Sequence, residues 1–237
     1  MTPHDPTPYL WWLVSRASGI VALGLVTLAV LLGLTMSTKL LRRPGVGRTL
    51  MRLHECAPDS GYTLMRLHEH VALVGLFAIV VHGLALLGDP WLRPGLGGLT
   101  IPFTMSYRPL FTGLGILAGY LAALLGLSFY ARRRIGVKLW RRFHRATVVV
   151  WLLGVVHTLG AGSDSSTLAL RAFVLLPAIP IVYLTVLRVL QSRTRSARSA
   201  RAGAPRPAAI GETGIPRRPA VRQRGVEHTR ALAEELS

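Results

Sequence analysis

Four histidines fall into two pairs with nearly equal spacing, each running through an apolar stretch. His68 and His82 are 14 residues apart, in RLHEHVALVGLFAIVVH; His144 and His157 are 13 apart, in WRRFHRATVVVWLLGVVH. A neutral imidazole keeps one ring nitrogen with a free lone pair, which makes histidine a metal ligand as well as a polar contact between helices. Fourteen residues at about 100° each come within about 40° of four full turns and rise about 21 Å. His68 and His82 therefore share a helix face at two depths. The 13-residue pair is off by about 140° on an ideal helix; a kink near Gly154 or a rotated outer site would accommodate it. Two imidazoles facing each other at one depth can clamp an iron porphyrin from both sides, and two such layers make two stacked haems.

Two other histidines compete for the inner position. TLMRLHE occurs twice, at Thr49–Glu55 and again at Thr63–Glu69. The first copy's His54 lies beyond the helix-breaking run Pro58, Asp59, Ser60 and Gly61, and too far from His82 to share its span. His70 is 12 residues from His82, which rotates it about 120° away. His68 is the best candidate; a ligand at His70 instead would move the inner site by about half a turn.

The elements that must position these residues are membrane helices. The chain is 51% hydrophobic with a mean hydropathy of +0.43, and several runs approach the ~20 apolar residues that cross a bilayer core. Five spans are expected, roughly Leu10–Met36, His68–Leu87, Leu110–Tyr130, Ala146–Leu159 with flanks, and Leu168–Leu190. Tyr9, Trp11 and Trp12 read as an interfacial belt, and the run that follows is too long for a signal peptide. The fold class is thus an all-α integral membrane bundle of about five transmembrane helices. Residues 1–8 form an outer N-terminal segment, 9–190 the membrane domain, and 191–237 a basic, largely disordered cytoplasmic tail. Val226–Leu236 suits one short helix.

The net charge of +18 is distributed as topology, which argues against a nucleic-acid partner. Arg42, Arg43, Arg48, Arg52 and Arg66 lie between spans one and two, and Arg132 to Arg134, Lys138, Arg141 and Arg142 between three and four. The tail is also basic, whereas loops 88–109 and 160–167 hold only Arg93 and Arg108. By the positive-inside rule the N-terminus is outside and the C-terminus cytoplasmic. Membrane lipid is the expected surroundings. The single cysteine, Cys56, excludes an intramolecular disulfide and a CxxC motif. Carboxylates are nearly absent: Glu69 sits at the inner edge of span two, Asp89 and Asp164 in outer loops. That scarcity counts against proton or cation transport.

These stretches resemble the ferric-reductase-like transmembrane family, which includes the membrane parts of NADPH oxidases, ferric reductases and bacterial haem membrane subunits. The paired histidine helices with one intervening span carry the resemblance. WWLVSRASGIVAL at 11–23, PFTMSYRPL at 102–110 and the arginine-rich segment before His144 support it. The resemblance implies bis-histidine haem b, one or two with two favoured: His68 and His144 at the inner layer, His82 and His157 at the outer. It also gives the arginines a task. Arg16 and Arg108 would meet outer propionates, and Arg66 and Arg145 inner ones, unless they serve only lipid phosphates.

The chain departs from longer members of that family in having no flavin or NAD site and only one span before the first histidine helix. The implied role is electron transfer across a bacterial inner membrane. A separate flavoprotein or quinol would be the electron donor, and ferric iron, dioxygen or an outer protein the acceptor. One rival is a quinol-oxidising haem subunit of a repair reductase. Another, of a different class, is a haem-free helical scaffold or transporter whose histidines bridge helices.

Overall fold

The computed structural model describes residues 7–38 and 60–203. The expectations for residues 1–6, for the connection holding His54 and Cys56, and for the chain beyond Gly203 lie outside the described residues. Within them every regular element is a helix: α1 Thr7–Thr38, α2 Ser60–Leu87, α3 Gly95–Thr100, α4 Pro109–Ile135, α5 Val137–Phe143, a 3₁₀ turn His144–Ala146, α6 Thr147–Ala161 and α7 Leu168–Gly203. Five segments are long and apolar enough to cross a membrane: Tyr9–Thr38, Tyr62–Leu87, Pro109–Ile135, Val137–Ala161 and Leu168–Thr194.

The helix boundaries follow local chemistry. Pro109 occupies the first turn of α4, where its missing N–H is harmless, directly after Arg108 in a left-handed conformation at φ 43°. Gly136, at φ 91° and ψ 125°, ends α4 and begins α5. That backbone conformation is open essentially to glycine alone, so the chain turns in one residue. The connection 131–145 between the expected third and fourth spans is therefore mostly helix, and its basic residues sit on the last turn of α4, on α5 and on the 3₁₀ turn. The fourth span starts at Val137, well before the expected Ala146. The arginines hid this in the sequence, because they dilute hydropathy without opposing helix formation.

α1 packs along α2, and α4 along α6; α1 also touches α6, and α2 touches α4. These four helices form a ring in which α2 and α6, the histidine helices, stand on one diagonal. α7 covers the outside of the α1–α6 seam. Leu170, Val174, Ile181 and Leu184 of α7 share a buried cluster with Leu23, Val30 and Leu34 of α1 and Trp151 and Val155 of α6. Phe77, Leu124 and Ile179, each about two-thirds exposed, point outward from the ring. Large apolar side chains covering an outer surface are stable against lipid and costly against water. The compact unit that holds all this ends at Arg193.

Candidate functional site

The ring brings the four histidines together as two facing pairs. In the outer layer the His82 and His157 ring centroids are 6.2 Å apart with planes at 73°. In the inner layer His68 and His144 are also 6.2 Å apart, at 87°. His70 is not part of either pair. It is exposed, and its Nδ1 lies 2.8 Å from the Arg66 carbonyl of its own helix.

The outer rings are fixed from behind. His82 Nδ1 is 2.7 Å from the Ser15 carbonyl on α1, and His157 Nδ1 is 2.9 Å from the Phe111 carbonyl on α4. A carbonyl only accepts, so Nδ1 carries the proton in both rings. Nε2 is left with its lone pair, facing the interior. Fixing one ring nitrogen to orient the other is how ligating histidines are set. Ser15 Oγ adds a contact 3.2 Å from the same Nδ1.

The inner rings repeat the scheme more loosely. Nδ1 of His68 and of His144 is buried without a hydrogen-bond partner. The carbonyls of Ala29 and Leu125 face these two rings, short of hydrogen-bond geometry. Trp140 stacks on His144 at 4.8 Å and 25°, and its indole N–H donates to Ser128 Oγ at 3.1 Å.

Spacing unites the two layers. Ser15 and Ala29 are 14 residues apart, as are Phe111 and Leu125, matching His68 and His82. Four residues after three of these carbonyls comes a glycine: Gly19, Gly33 and Gly115. A Cβ on Gly19 would lie 2.9 Å from His82 Nδ1, and one on Gly33 3.4 Å from His68 Cε1. A Cβ on Gly115 would overlap the His157 ring. The glycines let an imidazole approach the helix backbone closely enough to use a carbonyl that already closes a helical turn.

The 3₁₀ turn His144–Ala146 makes up the missing rise of the 13-residue spacing. Three residues of 3₁₀ helix at about 2.0 Å each plus ten of α-helix at about 1.5 Å rise about 21 Å, the rise of 14 α-helical residues. The same turn adds about 60° of rotation. Both histidine pairs thus keep one vertical separation on two helices of different count.

A cavity of about 600 Å³ opens beside the outer pair, lined by Trp12, Gly19, His82, His157 and Trp151 among others, with Arg16 and Asp164 on its wall. That volume lies in the range of cofactor pockets. Trp151 is buried and donates to Thr27 Oγ1 at 3.0 Å, which ties α6 to α1 between the layers.

The arginines separate into two groups. Arg16 does reach the outer cavity, but its partner there is Asp164, at 2.5 Å, and it lies 4.9 Å over the Trp12 ring. Arg108 donates to the Gly160 carbonyl and sits over Tyr107. Arg66 is exposed and turned to the Tyr62 hydroxyl at 2.8 Å, away from the bundle interior. Arg145 is exposed, within electrostatic reach of the half-buried Arg188 on α7. Arg188, Ser15, Trp140 and the three glycines were not anticipated. Gly19 and Gly33 did carry a signal, since they repeat the histidine spacing on the preceding helix.

The ring separation of both pairs suits two imidazoles on one metal. Two imidazoles bonded to one metal from opposite sides at about 2.0 Å, with ring centres about 1.1 Å behind the bonding nitrogens, put those centres about 6.2 Å apart. Among the described residues no three His, Cys, Asp or Glu side chains gather into one ligand set. Each pair would supply two imidazole nitrogens to such a metal group, which would have to bring its remaining donors itself. Comparison of the chain with family models, with curated proteins and with solved structures finds no match.

Proposed function

We propose that this chain is a transmembrane electron-transfer subunit that holds two b-type haems, with His68 and His144 as axial ligands of the inner one and His82 and His157 of the outer. The observation that carries this reading is the repeated 6.2 Å ring separation in two layers about 21 Å apart, with no hydrogen bond made by the interior-facing Nε2 atoms among the described residues. When bound, haem b supplies a one-electron carrier in each layer.

The chain's own residues do the rest. The Ser15 and Phe111 carbonyls hold the outer imidazoles in the tautomer that presents Nε2. Gly19, Gly33 and Gly115 let the rings sit against the neighbouring backbones. With both imidazoles of a pair holding the group, it would serve to carry electrons and not to bind substrate. Arg16 at the outer cavity is the cation available to a propionate, in competition with Asp164.

The N-terminus lies outside and the C-terminus in the cytoplasm of a bacterial inner membrane, as the arginine distribution supports. Electrons enter at the inner layer from a separate flavoprotein or a quinol and leave from the outer layer to ferric iron, dioxygen or an outer protein. A quinol-oxidising subunit of a repair reductase shares this geometry and differs only in its donor and acceptor.

Haem per chain, by pyridine haemochrome on detergent-purified protein expressed with ample haem, tests the reading. Two b haems per chain with a low-spin reduced spectrum are expected. A well-folded protein without haem would overturn it in favour of a scaffold whose histidines bridge helices.

A further inference from the structure

The five spans contain one carboxylate, Glu69. It follows His68 in the chain, but the structure turns it toward the seam between α2 and α4, where the Tyr130 hydroxyl donates to Oε1 at 3.1 Å. Tyr130 is 58% exposed, so the pair borders lipid and not the interior of the ring. A carboxylate at such a place is costly and calls for a partner. Tyr130 provides one donor, and the carboxylate keeps acceptor sites free for more.

Directly outward from this pair runs an apolar groove of about 210 Å³, lined by Leu73, Leu76, Phe77 and Val80 of α2 and Ala123 and Leu127 of α4 among others. On α2 these residues follow Glu69 at i+4, i+7, i+8 and i+11, and on α4 they precede Tyr130 by three and seven. The groove and the polar pair therefore share one face of each helix. The groove is apolar along its length, and the Glu69 carboxylate and Tyr130 hydroxyl stand on the same helix faces about one turn beyond its Leu73 and Leu127 end.

We infer that this groove with its polar pair is a binding site for an isoprenoid quinol or quinone, with the ring at Glu69 and Tyr130 and the tail along the α2–α4 groove. A quinol hydroxyl donates to the free carboxylate sites, and a quinone carbonyl accepts from the Tyr130 hydroxyl. A phospholipid acyl chain has neither group to pair with Glu69 and Tyr130. The site adjoins the inner histidine pair through His68, the residue before Glu69. The purpose of the site rests on the electron-transfer reading above and names the quinol as its donor; the binding chemistry does not depend on that reading.

The test uses the full-length protein in detergent with a photoreactive azidoquinone carrying a short alkyl tail, and maps the label by mass spectrometry. Labelling is expected in the segments 69–80 and 119–130. A short-tailed quinone should compete with it, and decanol or a diacyl phospholipid should not. Glu69→Gln and Tyr130→Phe should each weaken competition by the short-tailed quinol or quinone about tenfold, as expected for losing one hydrogen bond to a charged or buried polar group. Leu127→Trp, which fills the groove and leaves the polar pair, should also reduce labelling. Labelling that decanol or phospholipid displaces as well as quinone does, or that survives both Glu69→Gln and Leu127→Trp, would overturn the site and make the groove a place for acyl chains. Haem per chain is read on the same wild-type sample. Haem present without quinone binding removes this inference alone, and quinone binding without haem removes the electron-transfer reading alone.

Discussion

A single methyl group separates the tolerances of the three glycines that face the histidines. At Gly115 the Cβ would overlap the His157 ring, and Phe111, one turn earlier on the same helix, holds that ring's Nδ1. Neither can move without the other, so Gly115→Ala should lose the outer layer. The expected outcome is a fall from two haems per chain to one, read by pyridine haemochrome, with the inner low-spin signal retained. At Gly33 the added atom would meet His68 Cε1 at 3.4 Å, close to ordinary contact, and Gly33→Ala should keep both haems. His82→Ala should reproduce the Gly115→Ala spectrum, because both remove one layer. Ser15 gives a useful contrast. Its anchoring atom is the backbone carbonyl, which any residue supplies, so Ser15→Ala should retain both haems. The loss of its hydroxyl contacts should cost about 1 kcal/mol or less, a small change in the midpoint of a thermal melt in detergent.

The helix that carries His144 and His157 is interrupted where it must be. Were residues 137–161 one α-helix, 13 residues would leave His144 about 140° out of line and about 1.5 Å short of the depth of His68. The 3₁₀ turn His144–Ala146 restores the depth. Inserting one alanine between Ala146 and Thr147 shifts His144 by about 100° and 1.5 Å relative to α6 and leaves His157 where it is. The expected outcome is loss of the inner low-spin signal alone in the reduced difference spectrum; retention of both signals would mean that the turn re-forms around the added residue. The long apolar runs and the equal depths of the histidines were legible in the sequence, because bilayer thickness and helical rise are fixed lengths. The correction at His144 was not, since HRA has no composition that demands a tighter turn. The anchoring carbonyls were invisible for a different reason: every residue has one. The glycines opposite the histidines were hidden among 24 in the chain, and only the shared spacing of Gly19 and Gly33 distinguishes two of them. The early start of the fourth span was masked by Arg141, Arg142 and Arg145, whose charges read as a loop although the backbone there is helical.

At the scale of the whole molecule, charge separates the two ends of the bundle. Arg132 to Arg134, Lys138, Arg141, Arg142 and Arg145 stand at the end that holds the His68–His144 layer, whereas the other end, with the His82–His157 layer, sets Asp89 and Asp164 against Arg16, Arg93, Arg108 and Arg171. The only ion pair among the described residues, Arg16 to Asp164, is at that second end. By the positive-inside rule this asymmetry predicts the His68–His144 layer toward the cytoplasm and the His82–His157 layer toward the outside. That orientation predicts the Glu69–Tyr130 pair at the cytoplasmic leaflet and the 600 Å³ cavity on the outer side. Alkaline phosphatase inserted at Ser163, between α6 and α7, should then be active in intact bacteria, and the same enzyme fused after Gly203 inactive. A fluorescent protein that folds only in the cytoplasm should give the opposite pattern at the two sites. The reverse result would place His82 and His157 on the cytoplasmic side and turn the donor and acceptor ends around. The ligand pairs themselves would be untouched, because they depend on helix register and not on orientation. Replacing Arg132, Arg133 and Arg134 together by glutamine should weaken the bias at Ser163 without reversing it, since the basic residues of α5 remain on the same side of that span.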